Sequence, residues 1–314
     1  MFERTYTRRA MLRRGLATAG AGALVGAAGC SSIPNPLGGG GASYANWLPV
    51  PDDVSESDHY NFTYLNLDDI ESNEDELDDT SLEPSTYEDI WDPLDIDWED
   101  ASGLTVLGFG GVFGFGGFIV EADFNRDEII SDLEDEDFDE DDNYEGYTLM
   151  LDSSESQVYA VGDGAVVLTP ARSTDGESSS GDTGLAEAII DAQVGNADRY
   201  VDDSDDMGTL IGELGGGSFV NGRTMDEPDD DNPASGTFDA MVAQGQRAKI
   251  DGETTKLKFV VVYESSDDVD TDDLEEWVDE NDGSDQQFDD IDDISYNKNG
   301  RMGIITGTSD TDDL

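Results

Sequence analysis

The sequence predicts an α+β protein, with antiparallel sheets and helices set to one side. Three observations lead there. Apolar and alternating runs come in adjacent pairs, separated by glycine-rich or polar turns, as hairpin-connected strands do. Asn299-Gly300 between two such runs is a hairpin turn signal, because both residues tolerate positive φ. Two segments share one order of elements, strand-strand-helix-strand-strand, the pattern of an internal duplication.

Globular sequence starts near Tyr44-Ala45-Asn46-Trp47-Leu48. Phe62 to Leu67 alternates and reads as a strand. Glu71 to Ser81 reads as an acidic loop, and Glu83 to Trp91 as one or two helical turns ended by Pro93.

Residues 101–120 carry no charge, a span of 20 that matches a bilayer crossing in length. Seven of them are glycine, each costing about 1 kcal/mol in a helix, and no Lys or Arg flanks the span. The segment therefore reads as a buried hairpin with glycine bulges. Its Leu107-Gly108-Phe109-Gly110-Gly111 lacks dinucleotide-binding spacing.

The repeated order places Leu104–Phe109 and Val112–Val120 before a first helix, Arg126 to Glu136. Gly146–Leu151 and Val158–Leu168 follow it. In the second half Thr237–Ile250 and Lys256–Tyr263 precede a helix from Thr271 to Glu280. Ile291–Tyr296 and Met302–Thr306 follow. Asn125 and Asp270 are N-caps, Glu128 and Asp273 stand at N3, and Phe124 and Val269 are placed to staple onto Ile129 and Leu274. Leu133 and Val278 continue each inward face. Between the halves, Leu185–Val194 and Met207–Leu214 read as helices, and Ser218–Arg223 as a strand. The halves are compatible with two small domains or one continuous sheet. Two packed halves, 45–180 and 181–314, are the expectation.

Charge sets the environment. Acidic residues number 76 against 15 Lys plus Arg, a formal net charge of −61. Acids run through every segment between apolar runs, which argues for life in concentrated salt rather than an acidic tail. At molar salt the Debye length is about 3 Å and most repulsion is screened. Nucleic acid is excluded as a partner, since phosphate contacts need clustered Lys and Arg. Cys30 is the single cysteine, so an intrachain disulfide and cysteine-based metal centres are excluded. No cofactor motif is present.

Residues 1–29 differ abruptly. Arg4, Arg8, Arg9, Arg13 and Arg14 precede a small-residue apolar stretch from Gly15 to Ala28, 14 residues long, which suits a signal peptide better than a membrane span. Thr7-Arg8-Arg9-Ala10-Met11-Leu12-Arg13 resembles a twin-arginine export motif, and Ala27-Ala28-Gly29-Cys30 resembles a lipobox, with Ala27 where Leu or Val is usual. The chain is in this segment similar to the twin-arginine-exported lipoproteins of haloarchaea. That resemblance implies recognition of Arg8 and Arg9 by the twin-arginine translocase, a lipid on Cys30, and attachment to the outer face of the cell membrane. Residues 30–44, rich in Ser, Pro and Gly, read as the tether.

Candidate chemistry is sparse. Asp123, Asn125, Asp127 and Glu134 fit positions 1, 3, 5 and 12 of a calcium loop, but Glu128 replaces the turn glycine and a strand leads in. The acidic runs Asp135–Asp142 and Asp226–Asp231 read as hydrated loops. His59, the single histidine, sits in an acidic stretch without a nucleophile motif. The sequence therefore points to a non-enzymatic surface protein, a binding or envelope-associated module. A carboxylate-dependent extracellular hydrolase and a cation-binding surface protein are the alternatives.

Overall fold

The computed structural model describes residues 42–54, 58–77, 94, 96, 100–108, 115–171, 181–228, 231–283 and 286–313. Arg8, Arg9, Cys30, the leader 1–29, nearly all of the 30–44 tether and the turns expected at Glu83–Trp91 lie outside them.

Twelve strands form one antiparallel sheet among the described residues. They are β1 Asn61–Asn66, β2 Ala101–Gly108, β3 Phe115–Ala122, β4 Phe138–Tyr144, β5 Tyr147–Asp152 and β6 Gln157–Val161. The others are β7 Ala165–Pro170, β8 Phe219–Thr224, β9 Met241–Asp251, β10 Thr254–Tyr263, β11 Asp292–Asn299 and β12 Met302–Asp310. Their order across the sheet is β11-β12-β10-β9-β8-β1-β2-β3-β7-β6-β5-β4. The helices are α1 Leu67–Glu71, α2 Arg126–Asp135, α3 Gly184–Val194, α4 Tyr200–Asp203, α5 Asp205–Leu214 and α6 Thr271–Glu280. The protein is α+β.

The helices cover both faces of the sheet, not one. Successive strand residues point to opposite sides, so Tyr64 and Ile119 join one core while Leu65 and Val120 join another. The first face carries α3 and α5, with Leu185, Ile189, Leu210 and Leu214 packed on Val167, Ala160, Val220 and Val262. The opposite face carries α1 and α2 at one end and α6 at the other. The periodicity of each helix reports that it has an apolar stripe, but not which side of the sheet receives it.

The two expected halves are parts of one sheet, joined where β1 pairs with β8 from Asn61–Arg223 to Leu65–Phe219. Helix α3, assigned to the second half, packs on β6 and β7 of the first. The uncharged span 101–120 contributes β2 and β3, whose ladder shifts register beside Gly103 and Gly108. Asn125 and Asp270 do cap α2 and α6, accepting from the Asp127 and Asp272 amides at 3.1 and 2.9 Å. The run 135–142, expected to be a loop, instead supplies most of β4. Gly164, at φ +82°, splits Val158–Leu168 into β6 and β7. Charged residues dominate β4, and β11 opens on Asp292-Asp293; these are the two edges of the sheet, where charge discourages pairing with another chain.

Three of the scarce cations hold the two ends of α5. Lys258 Nζ reaches Glu213 Oε1 at 2.6 Å and the Glu213 carbonyl at 3.0 Å, and Arg247 donates to the Leu214 carbonyl at 2.9 Å. Both close the C-terminus of α5, where cations meet the helix dipole favourably. Arg301 reaches the other end, pairing with Asp206 and donating to the Asp205 carbonyl. The Lys258 and Glu213 side chains are 18% and 19% exposed. Lys258→Met should therefore lower stability by about 3 kcal/mol, because Glu213 loses its ammonium partner in a partly dry site and keeps the longer 3.4 Å contact from Asn299. Adding Glu213→Leu should recover most of the loss. Thermal melts in molar KCl would check this; equal melting of the single and double variants would contradict it.

Candidate functional site

Between the two helix-covered ends of its second face, the sheet presents a polar surface. β8 alternates: Val220, Gly222 and Thr224 are buried toward α5, while Asn221 and Arg223 point the other way. Gly222 and Gly245 sit opposite each other in β8 and β9. A Cβ on Gly222 would lie 2.9 Å from Leu210, and one on Gly245 would lie 2.9 Å from Leu214. Two glycines therefore let α5 sit close on one face, and their neighbours supply the other.

Those neighbours form two cross-strand rows. Asn61, Arg223 and Gln244 are in register, as are Thr63, Asn221 and Gln246. They line a groove of about 380 Å³, together with Met225, Met241, Phe259, Trp277 and the Ser235-Gly236-Thr237 turn. Gln244, oriented to satisfy both groups, accepts from Arg223 Nε at 3.2 Å and Nη2 at 2.8 Å. Burial draws the Arg223 guanidinium below its ordinary pKa. Gly236, at φ +72°, closes against the Trp277 indole, where a Cβ would come within 2.6 Å of the ring. Trp277 is locked edge-on against Phe238, Phe259 and Phe288. Of the twenty described lining residues one, Asp226, is acidic, against 76 of 314 residues in the chain. The groove is chemically unlike the rest of the protein.

His59 lies at the end of this groove. Its Nδ1 is 3.0 Å from Thr224 Oγ1 and its Nε2 is 3.3 Å from Asp226 Oδ1. The order hydroxyl, imidazole, carboxylate has the form of a nucleophile, base and orienting acid. Thr224 is 5% exposed, however, and its hydroxyl also meets Tyr200 OH. A hydroxyl held by two partners beneath the surface cannot reach a substrate. The set ties the start of β1 to β8 and α4.

The calcium-template residues are spread from the end of β3 along α2. Asn125 and Asp127 line a recess of about 650 Å³ at the start of α2, but Asn125 is occupied as N-cap. Arg126 enters the same recess, donating to Thr148 at 2.7 Å, and Glu140 and Asp163 line it with Asp127. Glu134 stands seven residues beyond Asp127 on α2, about 10 Å along the axis. The carboxylates that converge within 4.8 Å among the described residues belong to Asp310, Asp312 and Asp313, far along the chain.

One buried acid was not singled out by the sequence. Glu121, on β3, is 8% exposed; Trp47 donates to its carboxyl, and Oε2 has no hydrogen-bond partner among the described residues. Desolvation pushes its pKa up to about 7. The groove residues were missed as well. Their signal was the acid-free polar alternation in Asn221-Gly222-Arg223 and Gln244-Gly245-Gln246, unusual in so acidic a chain.

No helix among the described residues is long and apolar enough to cross a membrane. No family model matches the chain, and no curated protein matches it in sequence. Among solved structures the chain is similar to three crystal forms of TP0453. Form I is 8% identical, with a TM-score of 0.45 over 85% of this chain and 94% of that one. Form III is 10% identical, with 0.44 over 85% and 95%, and form IV is 9% identical, with 0.43 over 86% and 96%.

Proposed function

We propose that the protein is an exported, lipid-anchored binding module on the outer face of a halophile's cell membrane. The observation that carries the binding part is the groove on the sheet face, with one acid among its described lining residues in a chain of formal net charge −61. The leader supports the location: Arg8 and Arg9 address the twin-arginine translocase, and Cys30 takes the lipid. Binding is favoured over hydrolysis because two-carboxylate glycoside chemistry needs a pair about 5–9.5 Å apart. Asp226 is the single carboxylate among the groove's described lining residues.

Replacing Cys30 by Ser should move the protein from the membrane fraction to the medium. Replacing Arg8 and Arg9 by Lys should hold it inside the cell. Continued membrane retention of the Cys30→Ser variant would remove the anchor, and surface delivery of the Lys variant would remove the export route.

We further propose that the two ends of the sheet descend from one duplicated unit. In each, two paired strands lead into an Asx-capped helix, α2 or α6. In each, the chain then returns to pair with the second strand, β7 with β3 and β12 with β10. The first end carries one additional hairpin before its return.

A further inference from the structure

We propose that the groove over β1, β8 and β9 binds a neutral, hydroxyl-rich chain, a short glycan. This rests on the binding-module reading and names its ligand class.

Hydrogen-bond chemistry is the first argument. A carboxamide offers donors and an acceptor side by side, while a carboxylate only accepts and an ammonium only donates. The floor presents the carboxamides of Asn221 and Gln246 in one registered row with the Thr63 hydroxyl, and beside it a second row of Asn61, Arg223 and Gln244, where the Gln244 oxygen is taken by Arg223. A ligand matching such a floor must also donate and accept at each group, as sugar hydroxyls do. An anionic ligand would want donors alone, and the one guanidinium, Arg223, is already shared with Gln244.

Salt is the second. In molar KCl the Debye length falls to about 3 Å, so recognition by charge loses its reach while short hydrogen bonds in a sheltered groove persist. A nearly acid-free groove fits that demand.

Shape is the third. Three adjacent strands give a floor about 10 Å across. With the 380 Å³ volume this suits roughly a disaccharide or trisaccharide. The edges of Trp277 and Phe259 give apolar contact for the C–H faces of a ring. A polypeptide also donates and accepts, but strand addition needs a free sheet edge. β8 is paired on both sides, with β1 and β9.

The test is calorimetric titration of the full-length protein, solubilised in molar KCl, with maltotriose, mannotriose and chitotriose. Trigalacturonate and an uncharged glycine–alanine hexapeptide are the comparison probes. At least one neutral trisaccharide should bind saturably, with little change when KCl is halved. Asn221→Ala and Gln246→Ala should each weaken it about tenfold while keeping the parent circular dichroism. If either floor variant misfolds, Gln287→Ala at the rim, outside any strand, should give the same weakening. No binding by any neutral sugar, or full binding by folded floor variants, overturns the proposal. Salt-dependent binding of trigalacturonate alone overturns it too. Hexapeptide binding instead removes the glycan and leaves a binding module. Shortened sugar products in mass spectra would keep the glycan and remove the non-enzymatic reading.

Discussion

Transfer of the mature domain from molar KCl to dilute buffer should unfold it. Without residues 1–29 the chain holds 10 basic and 75 acidic residues, a net −65. Several described cations are paired in the fold, among them Lys249 with Asp69, Lys256 with Asp251 and Lys258 with Glu213. They cannot neutralise the surface. Two like charges 6 Å apart repel by about 0.7 kcal/mol even in bulk water. A strand such as β4, with Asp139, Glu140, Asp141 and Asp142 in succession, holds several such pairs by itself. A few dozen unscreened pairs over the whole surface exceed the 5–15 kcal/mol by which a domain is stable. Raising salt from about 0.01 M to 1 M shortens the Debye length from about 30 to 3 Å and removes most of this. Far-UV circular dichroism during dialysis should show cooperative loss of structure, recovered on returning KCl but not on adding sucrose alone. An unchanged melting curve in dilute buffer would contradict the halophile account.

Glu121→Gln should stabilise the protein at alkaline pH and leave it nearly unchanged at acid pH. Glu121 is buried beside Trp47, with one oxygen unbonded, and its pKa rises from 4.5 to about 7. A carboxyl whose pKa is higher in the folded state binds its proton more tightly there. Its contribution is therefore fully present below pH 4.5 and is lost as pH rises through about 7. Above that, ionising Glu121 in its dry site costs about 3 kcal/mol, which Gln does not incur. Salt does not rescue a charge that water and ions cannot reach. Denaturant titrations at fixed molar KCl, taken between pH 4 and 9, should show parent and variant curves diverging through the neutral range. Parallel curves would mean that Glu121 reaches solvent.

Much of the fold was legible in the sequence. β1, β5, the β9–β10 pair, the β11–β12 hairpin and helices α2, α3, α5 and α6 all fall where periodicity, caps and turn residues place them. What was hidden had physical reasons. β4 reads Phe-Asp-Glu-Asp-Asp-Asn-Tyr, and an edge strand buries so little that no apolar alternation is needed. Sidedness was hidden because a helix's stripe fits either face of a sheet. The groove was hidden because Asn221, Arg223, Gln244 and Gln246 are unremarkable singly; only the register brings them together. Glu121 was one acid among 76, and nothing local marks it as the buried one.

The most direct test of a surface-anchored module is the mass of the protein purified from native membranes. The predicted species starts at Cys30, lacks residues 1–29 and carries an added lipid mass on that residue. A chain intact from Met1 with a free thiol at Cys30 would contradict it.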